Sequence, residues 1–141
     1  MNIDTTFLRT CIASLERAVH EIKHHDSEDD ILYEIYRAAC VKEFELILEQ
    51  CGKLLRKRIR PYFASNKTVD RLHFKDLFRH AARHDLIDPI ATERWMTYRD
   101  NRNDTVHDYG KEFAEATLKL LPTFIMDAKA LSDIIEATPN D

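Results

Sequence analysis

Eleven consecutive residues, Arg99-Asp100-Asn101-Arg102-Asn103-Asp104-Thr105-Val106-His107-Asp108-Tyr109, gather two arginines, a histidine, a tyrosine, three aspartates and two asparagines. A helix that only had to bury a face would not be built this way. The set offers a permanent cation, a group that titrates near neutral pH and a phenol, which together suit phosphate-ester chemistry. On a helix of about 3.6 residues per turn, Arg102 and Tyr109 share a stripe, and Asn103 neighbours His107 one turn on. Arg102 and His107 stand about 140° apart around such an axis. They are not a ridge pair, so they meet over a phosphate held across the helix side, or in a site completed by a second chain. Asp100 or Asp104 can accept a ring N–H from His107 and raise its pKa. The same segment puts Asp100, Asp104 and Asp108 at successive turns, a repulsion of a few tenths of a kcal/mol per pair. Such a helix predicts a compensating cation or a cationic partner surface.

The elements that must carry this segment are helical. The chain has 141 residues, 44% hydrophobic and 33% charged, with only Gly52 and Gly110 as glycines. A β-rich fold needs many more turn residues. The length fits one domain over residues 1–141, with 138–141 a frayed tail. The expected architecture is all-α, an antiparallel bundle of four to five helices. The net charge of −4 argues against a protein that coats nucleic acid broadly. Cys11, Cys40 and Cys51 are odd in number and widely spaced, and read as reduced, buried residues of a cytoplasmic protein. No basic-apolar leader and no membrane-length apolar run is expected to take the chain to a membrane.

Helices are predicted over about 5–22, 29–59, 74–84, 89 to the motif, and 111–137. The second is long enough to need a long partner, in the same chain or in another copy. Its apolar stripe reads Ile31, Ile35, Ala38, Ala39, Phe44, Ile47, Leu48, Cys51, Leu54 and Leu55. Gly52 within it costs about 1 kcal/mol relative to Ala and suggests a close helix contact. It ends on Lys53-Leu54-Leu55-Arg56-Lys57-Arg58-Ile59-Arg60-Pro61. Lys53, Arg56, Lys57 and Arg60 there are either a solvated, dipole-complementing terminus or a phosphate rail for RNA. Residues 62–71 read as a loop. Asp88-Pro89 marks the start of the motif helix, with Asp as cap and Pro at the first position. Ala91, Trp95, Tyr98 and Arg102 then lie on one stripe, Trp95 and Tyr98 as packing residues in preference to base-stacking platforms. Pro122 should kink or divide the last helix. His20/His24 and His80/His84 have the four-residue spacing of helical metal ligands, but no carboxylate or third His completes either set. No metal site and no cofactor is expected.

Arg102-Asn103-x3-His107-x-Tyr109, or R-x4-H-x-Y, resembles the signature of the HEPN superfamily, and the trailing tyrosine is similar to its HepT-like toxin branch. Phe44-Glu45 in the second helix, Ala81-x4-Leu86-Ile87-Asp88 before the motif and Leu121-Pro122-x-Phe124 after it extend the likeness. This layout also resembles proteins described as nucleotidyltransferase substrate-binding. The resemblance implies a metal-independent endoribonuclease toxin in which the ribose 2′-OH attacks the adjacent phosphorus and a cyclic phosphate is left. It implies Arg102 and His107 as the catalytic pair, with Asn103, Asp104 and Arg99 in support, and a twofold homodimer that brings two imidazoles together. It implies Tyr109 as the acceptor of AMP from a partner nucleotidyltransferase antitoxin. The alternative is a non-catalytic subunit that presents a substrate or nucleotide to such a transferase.

Overall fold

The computed structural model describes residues 2–27, 30–104 and 111–137. Among these the chain forms six α-helices and one 3-10 turn: α1 (Thr6–Lys23), α2 (Ile31–Ile59), the turn Arg60–Tyr62, α3 (Asn66–Asp70), α4 (Phe74–Arg83), α5 (Pro89–Asp104) and α6 (Lys111–Glu136). No strand occurs among the described residues. The all-α bundle expected from the sequence is therefore found, with one helix more than five. The extra element is α3, in the stretch read as a loop. Ser65 caps it by accepting the Lys67 N–H at 3.1 Å, and Val69 is fully buried. A single buried apolar residue in five is too little periodicity to register as a helix in sequence.

Cross-helix polar pairs fix the directions. Arg9 of α1 reaches Asp133 and Glu136 of α6, each at 2.8 Å, and Glu16 meets Lys129 further back along α6 at 2.7 Å. The two helices are antiparallel. Asn101 with Thr117 and Arg94 with Asp127 make α5 and α6 antiparallel too. The long helix α2 packs on α1 and α6 and also reaches α4 and α5, as its length requires. Its start is two residues later than expected: Asp30 is the cap, accepting the Tyr33 N–H at 2.9 Å, and the helix begins at Ile31.

The buried stripe of α2 runs Tyr33, Cys40, Phe44, Ile47, Leu48, Cys51, Leu54 and Leu55. Ile31 and Ile35, placed on that stripe from the sequence, are instead 71% and 54% exposed. The seam keeps a seven-residue step through positions 33, 40, 47 and 54, and Ile31 and Ile35 lie off it by two residues, roughly 200° around the helix. At the centre of the bundle Phe44 meets Phe124 at 4.6 Å, Trp95 stacks on Phe78 at 4.7 Å, and Tyr98 stands edge-on to Phe124 at 5.0 Å. Trp95 and Tyr98 are 1% and 2% exposed, so they serve as packing and not as open stacking platforms. Cys11, Cys40 and Cys51 are all buried and free, and burial alone pushes the Cys40 thiol up to about 11. Pro122 does not divide the last helix, which runs unbroken from Lys111 to Glu136.

The corner between α4 and α5 aims the motif helix. The Leu86 N–H bonds the Ala81 carbonyl at 3.0 Å and the Asp85 N–H bonds that of Ala82 at 3.1 Å. This is the paired closure of a Schellman motif, and it needs a left-handed residue at Asp85, where φ is 60°. Asp tolerates that region better than most side chains. Leu86 and Ile87 drop back onto the core. Asp88 then accepts the Ala91 N–H at 2.7 Å and opens α5, as its place before Pro89 predicted.

Candidate functional site

Arg102 occupies the last turn of α5. The stripe that buries Trp95 and Tyr98 continues to it, so the guanidinium emerges where the packed face of α5 reaches the surface. Its side chain is 26% exposed, and its Nε lies 3.9 Å from Oε2 of Glu45 on α2. Glu45 is the neighbour of Phe44, which anchors α2 in the aromatic centre. The Phe44-Glu45 pair thus packs the core with one residue and faces the motif arginine with the next.

The rest of the motif helix divides its charges. Asp100 bonds Nζ of Lys75 on α4 at 2.5 Å. This is a cation of the kind the aspartate ladder called for, supplied from within the chain. Arg99 lies over the ring of Phe74 at 5.2 Å. Asn101 donates to Oγ1 of Thr117 at 2.9 Å, tying the end of α5 to the start of α6. Beside that start, Tyr33 of α2 donates to Glu115 at 2.7 Å, with Arg37 3.9 Å from the same carboxylate. Sequence spacing gave no sign of these two clamps, because each joins residues far apart in the chain. Asn103 and Asp104 belong to α5 by backbone. Their side chains, and His107 and Tyr109 entirely, lie outside the described residues.

The basic run at the end of α2 is not uniform. Arg56 donates to the carbonyls of Val69 and Leu72, the latter at 2.9 Å, and so braces the segment after α3. Arg58 is buried and donates to the Ile134 carbonyl at 3.3 Å. Arg60 pairs with Asp70 at 3.0 Å. Lys53 and Lys57 are exposed. The composition of the run made it look like one rail; two of its arginines brace backbone carbonyls and a third pairs with a carboxylate.

The four-spaced histidines have local partners. His20 and His24 face one another with ring centroids 4.2 Å apart. His84 stacks on Tyr62 at 4.0 Å, and His80 stands edge-on to Phe63 at 4.9 Å. Burial first, then the nearby Arg83 charge, holds the His80 pKa below its usual 6.5. Among the described residues no group of three or more His, Cys, Asp or Glu converges as a metal set. Nor is any described helix long and apolar enough to cross a membrane.

Comparison with known proteins places these features. Residues 4–137 match the family described as "nucleotidyltransferase substrate binding protein like". A Haemophilus influenzae protein named probable ribonuclease HepT is 26% identical over 132 residues, covering 92% of this chain and 89% of that protein. A solved Haemophilus influenzae structure, described as revealing the fold of a substrate binding domain of a nucleotidyltransferase, superimposes with a TM-score of 0.80 at 25% identity. That match covers 94% of this chain and 98% of the other. The chain belongs to the nucleotidyltransferase substrate-binding-protein-like family, the HepT-like branch of the HEPN superfamily.

Proposed function

We propose that this protein is the toxin of a toxin–antitoxin pair and acts as a metal-independent endoribonuclease. The observation that carries the reading is the setting of Arg102. It sits in the last turn of the capped, core-packed helix α5, its side chain 26% exposed and its Nε 3.9 Å from Glu45, five residues before His107. A relative over most of the chain bears the name of a probable ribonuclease.

In the proposed reaction the ribose 2′-OH attacks the adjacent phosphorus and gives its proton to an imidazole. The bond to the 5′-oxygen breaks, that oxygen takes a proton, and a 2′,3′-cyclic phosphate remains. His107 is the proton carrier, since an imidazole both takes and gives a proton near neutral pH. Arg102 stabilises charge on the phosphoryl oxygens. Asn103 bonds a phosphate oxygen or orients His107, and Asp104 and Arg99 support the pair. A homodimer brings a second His107 to the site, so base and acid come from two chains. Lys53 and Lys57 contact RNA phosphates, with Arg56 and Arg60 adding charge from behind their carbonyl and carboxylate partners. Tyr109 accepts AMP from a partner nucleotidyltransferase. The added phosphodiester brings negative charge beside Arg102, occupies the place of the RNA phosphate and silences the site.

The decisive experiment is incubation with RNA in EDTA. Cleavage persists in the parent protein, yields cyclic-phosphate ends and disappears in His107→Ala. The family description and the solved relative favour a second reading, a non-catalytic subunit presenting substrate to a nucleotidyltransferase; absence of cleavage in parent and variant alike selects it. With the transferase and ATP, the mass rises in steps of one AMP. An undiminished gain in Tyr109→Phe removes that residue as the acceptor.

A further inference from the structure

A cleft of about 430 Å3 opens between α2, the start of α4 and α5, one helical turn from Arg102. Lys53 and Arg56 line it from α2, Arg99 from α5, and His73 and Phe74 from the entry to α4. Glu49 brings the one carboxylate. Its floor depends on Gly52: a Cβ there would stand 3.1 Å from the Phe74 ring, so a larger residue would push Phe74 outward. Phe74 in turn carries the Arg99 guanidinium at 5.2 Å from its centroid. A guanidinium stacked on a ring keeps its N–H edge open for a bidentate oxygen ligand. Arg56 keeps its charge but directs its donors to two backbone carbonyls. Lys53 and Arg99 are in no ion pair among the described residues.

We infer that this cleft is a phosphate subsite for the RNA nucleotide next to the scissile one, gripped by Lys53 and Arg99. The inference rests on the RNA reading above and deepens it: it gives the Lys53 contact a defined cleft and makes the support from Arg99 a grip on the adjacent phosphate. Arg99 and Arg102 are about 4.5 Å apart along one helix, and Glu45, Glu49 and Lys53 follow at about 6 Å steps along another. The seam where Arg102 meets Glu45 therefore runs straight into the cleft. A strand with one phosphate at Arg102 lies along this seam and reaches Lys53 and Arg99 with a neighbouring phosphate. Glu49 opposes the anion and limits its grip.

The test is binding, so that it does not depend on cleavage. The affinity of a single-stranded RNA octamer is followed by fluorescence anisotropy from low to moderate salt, with His107→Ala as the background. For single strands, the slope of log affinity against log salt is about −0.7 per neutralised phosphate. Lys53→Gln and Arg99→Gln are each expected to weaken binding and make the slope shallower by up to about 0.7. Glu49→Gln is expected to tighten binding. Lys53 and Glu49 are exposed, so their variants fold whatever the fate of Arg99→Gln. Unchanged affinity and slope in Lys53→Gln together with no gain in Glu49→Gln overturn the subsite, as does failure of the His107→Ala protein to bind RNA. If the parent cleaves RNA and these variants bind like it, the nuclease reading stands and the subsite falls. If binding follows Lys53 and Glu49 but nothing is cut, the subsite stands and the nuclease reading falls.

Discussion

Two arginine–carboxylate pairs on α5, eight residues apart, are built to opposite designs. Arg94 grips Asp127 of α6 with both arms, at 2.7 and 2.8 Å, and Tyr98 adds a hydroxyl bond to the same carboxylate at 2.5 Å. Asp127 is 5% exposed. Burial, then the Asp127 bond, lifts the Tyr98 phenol far above its ordinary 10, so it stays a donor at any physiological pH. Arg102 and Glu45 stand 3.9 Å apart, each more than a quarter exposed. The first pair has a buried carboxylate that accepts three hydrogen bonds from protein and fixes how α5 lies on α6. The second is a longer-range pair at the surface, and in the proposed reaction a phosphate takes the place of its carboxylate. One helix thus holds itself in place at its middle and offers a cation at its end.

The largest effect that would break this contrast is on stability. Asp127→Ala leaves a buried phenol and a guanidinium without their acceptor and is expected to cost about 3 kcal/mol. The check is a lowered urea midpoint with unchanged slope; a loss under about 1 kcal/mol would make the pair ordinary. Arg102→Ala should do the reverse. Its stability change stays within about 1 kcal/mol, as for exposed pairs, while RNA cleavage falls about 100-fold, or about 2.7 kcal/mol in the barrier. A variant that unfolds instead would assign Arg102 to packing. Tyr98→Phe sharpens the first pair by removing one bond of three, at about 1 to 2 kcal/mol, read by the same urea midpoint. The smallest effect tests an open pair by pH. The bond from Arg9, then that from Thr5, holds the Glu136 carboxyl below its usual 4.5. Stability from that shift is fully present above 4.5 and is lost as pH falls through the lower folded value. Arg9→Gln is therefore expected to flatten the acid limb of the stability curve below pH 4.5, measured by thermal melts; an unaltered limb removes the linkage.

What could be seen in the sequence was whatever is local. Asp88-Pro89 announced a helix start, Gly52 a close contact, and the step from Trp95 to Arg102 a shared stripe; each depends on residues within two turns. The ladder of aspartates even predicted a compensating cation, though not that Lys75 would supply it for Asp100. Contacts closed by the fold were invisible. Nothing around Arg56 says that its donors go to Val69 and Leu72, and nothing near Asp127 foretells Tyr98 and Arg94. Ile31 and Ile35 misled because a 29-residue helix can carry two apolar phases, and only the packing of α1 and α6 chooses between them. Glu45 was half visible: it stood in the family likeness, but its place opposite Arg102 needed the structure.

The corner at residues 81–88 gives the site an adjustment far from its chemistry. Arg102 lies about 20 Å along the axis from Asp88, so a change at that turn acts on the far end as on a lever, resisted by the Arg94–Asp127 clamp between them. A swing of about 5° at the fulcrum carries the guanidinium nearly 2 Å, and catalytic groups misplaced by about 1 Å can lose two orders of magnitude in rate. Substitutions at Asp85 or Leu86 therefore retune the far end without touching a single residue of the motif.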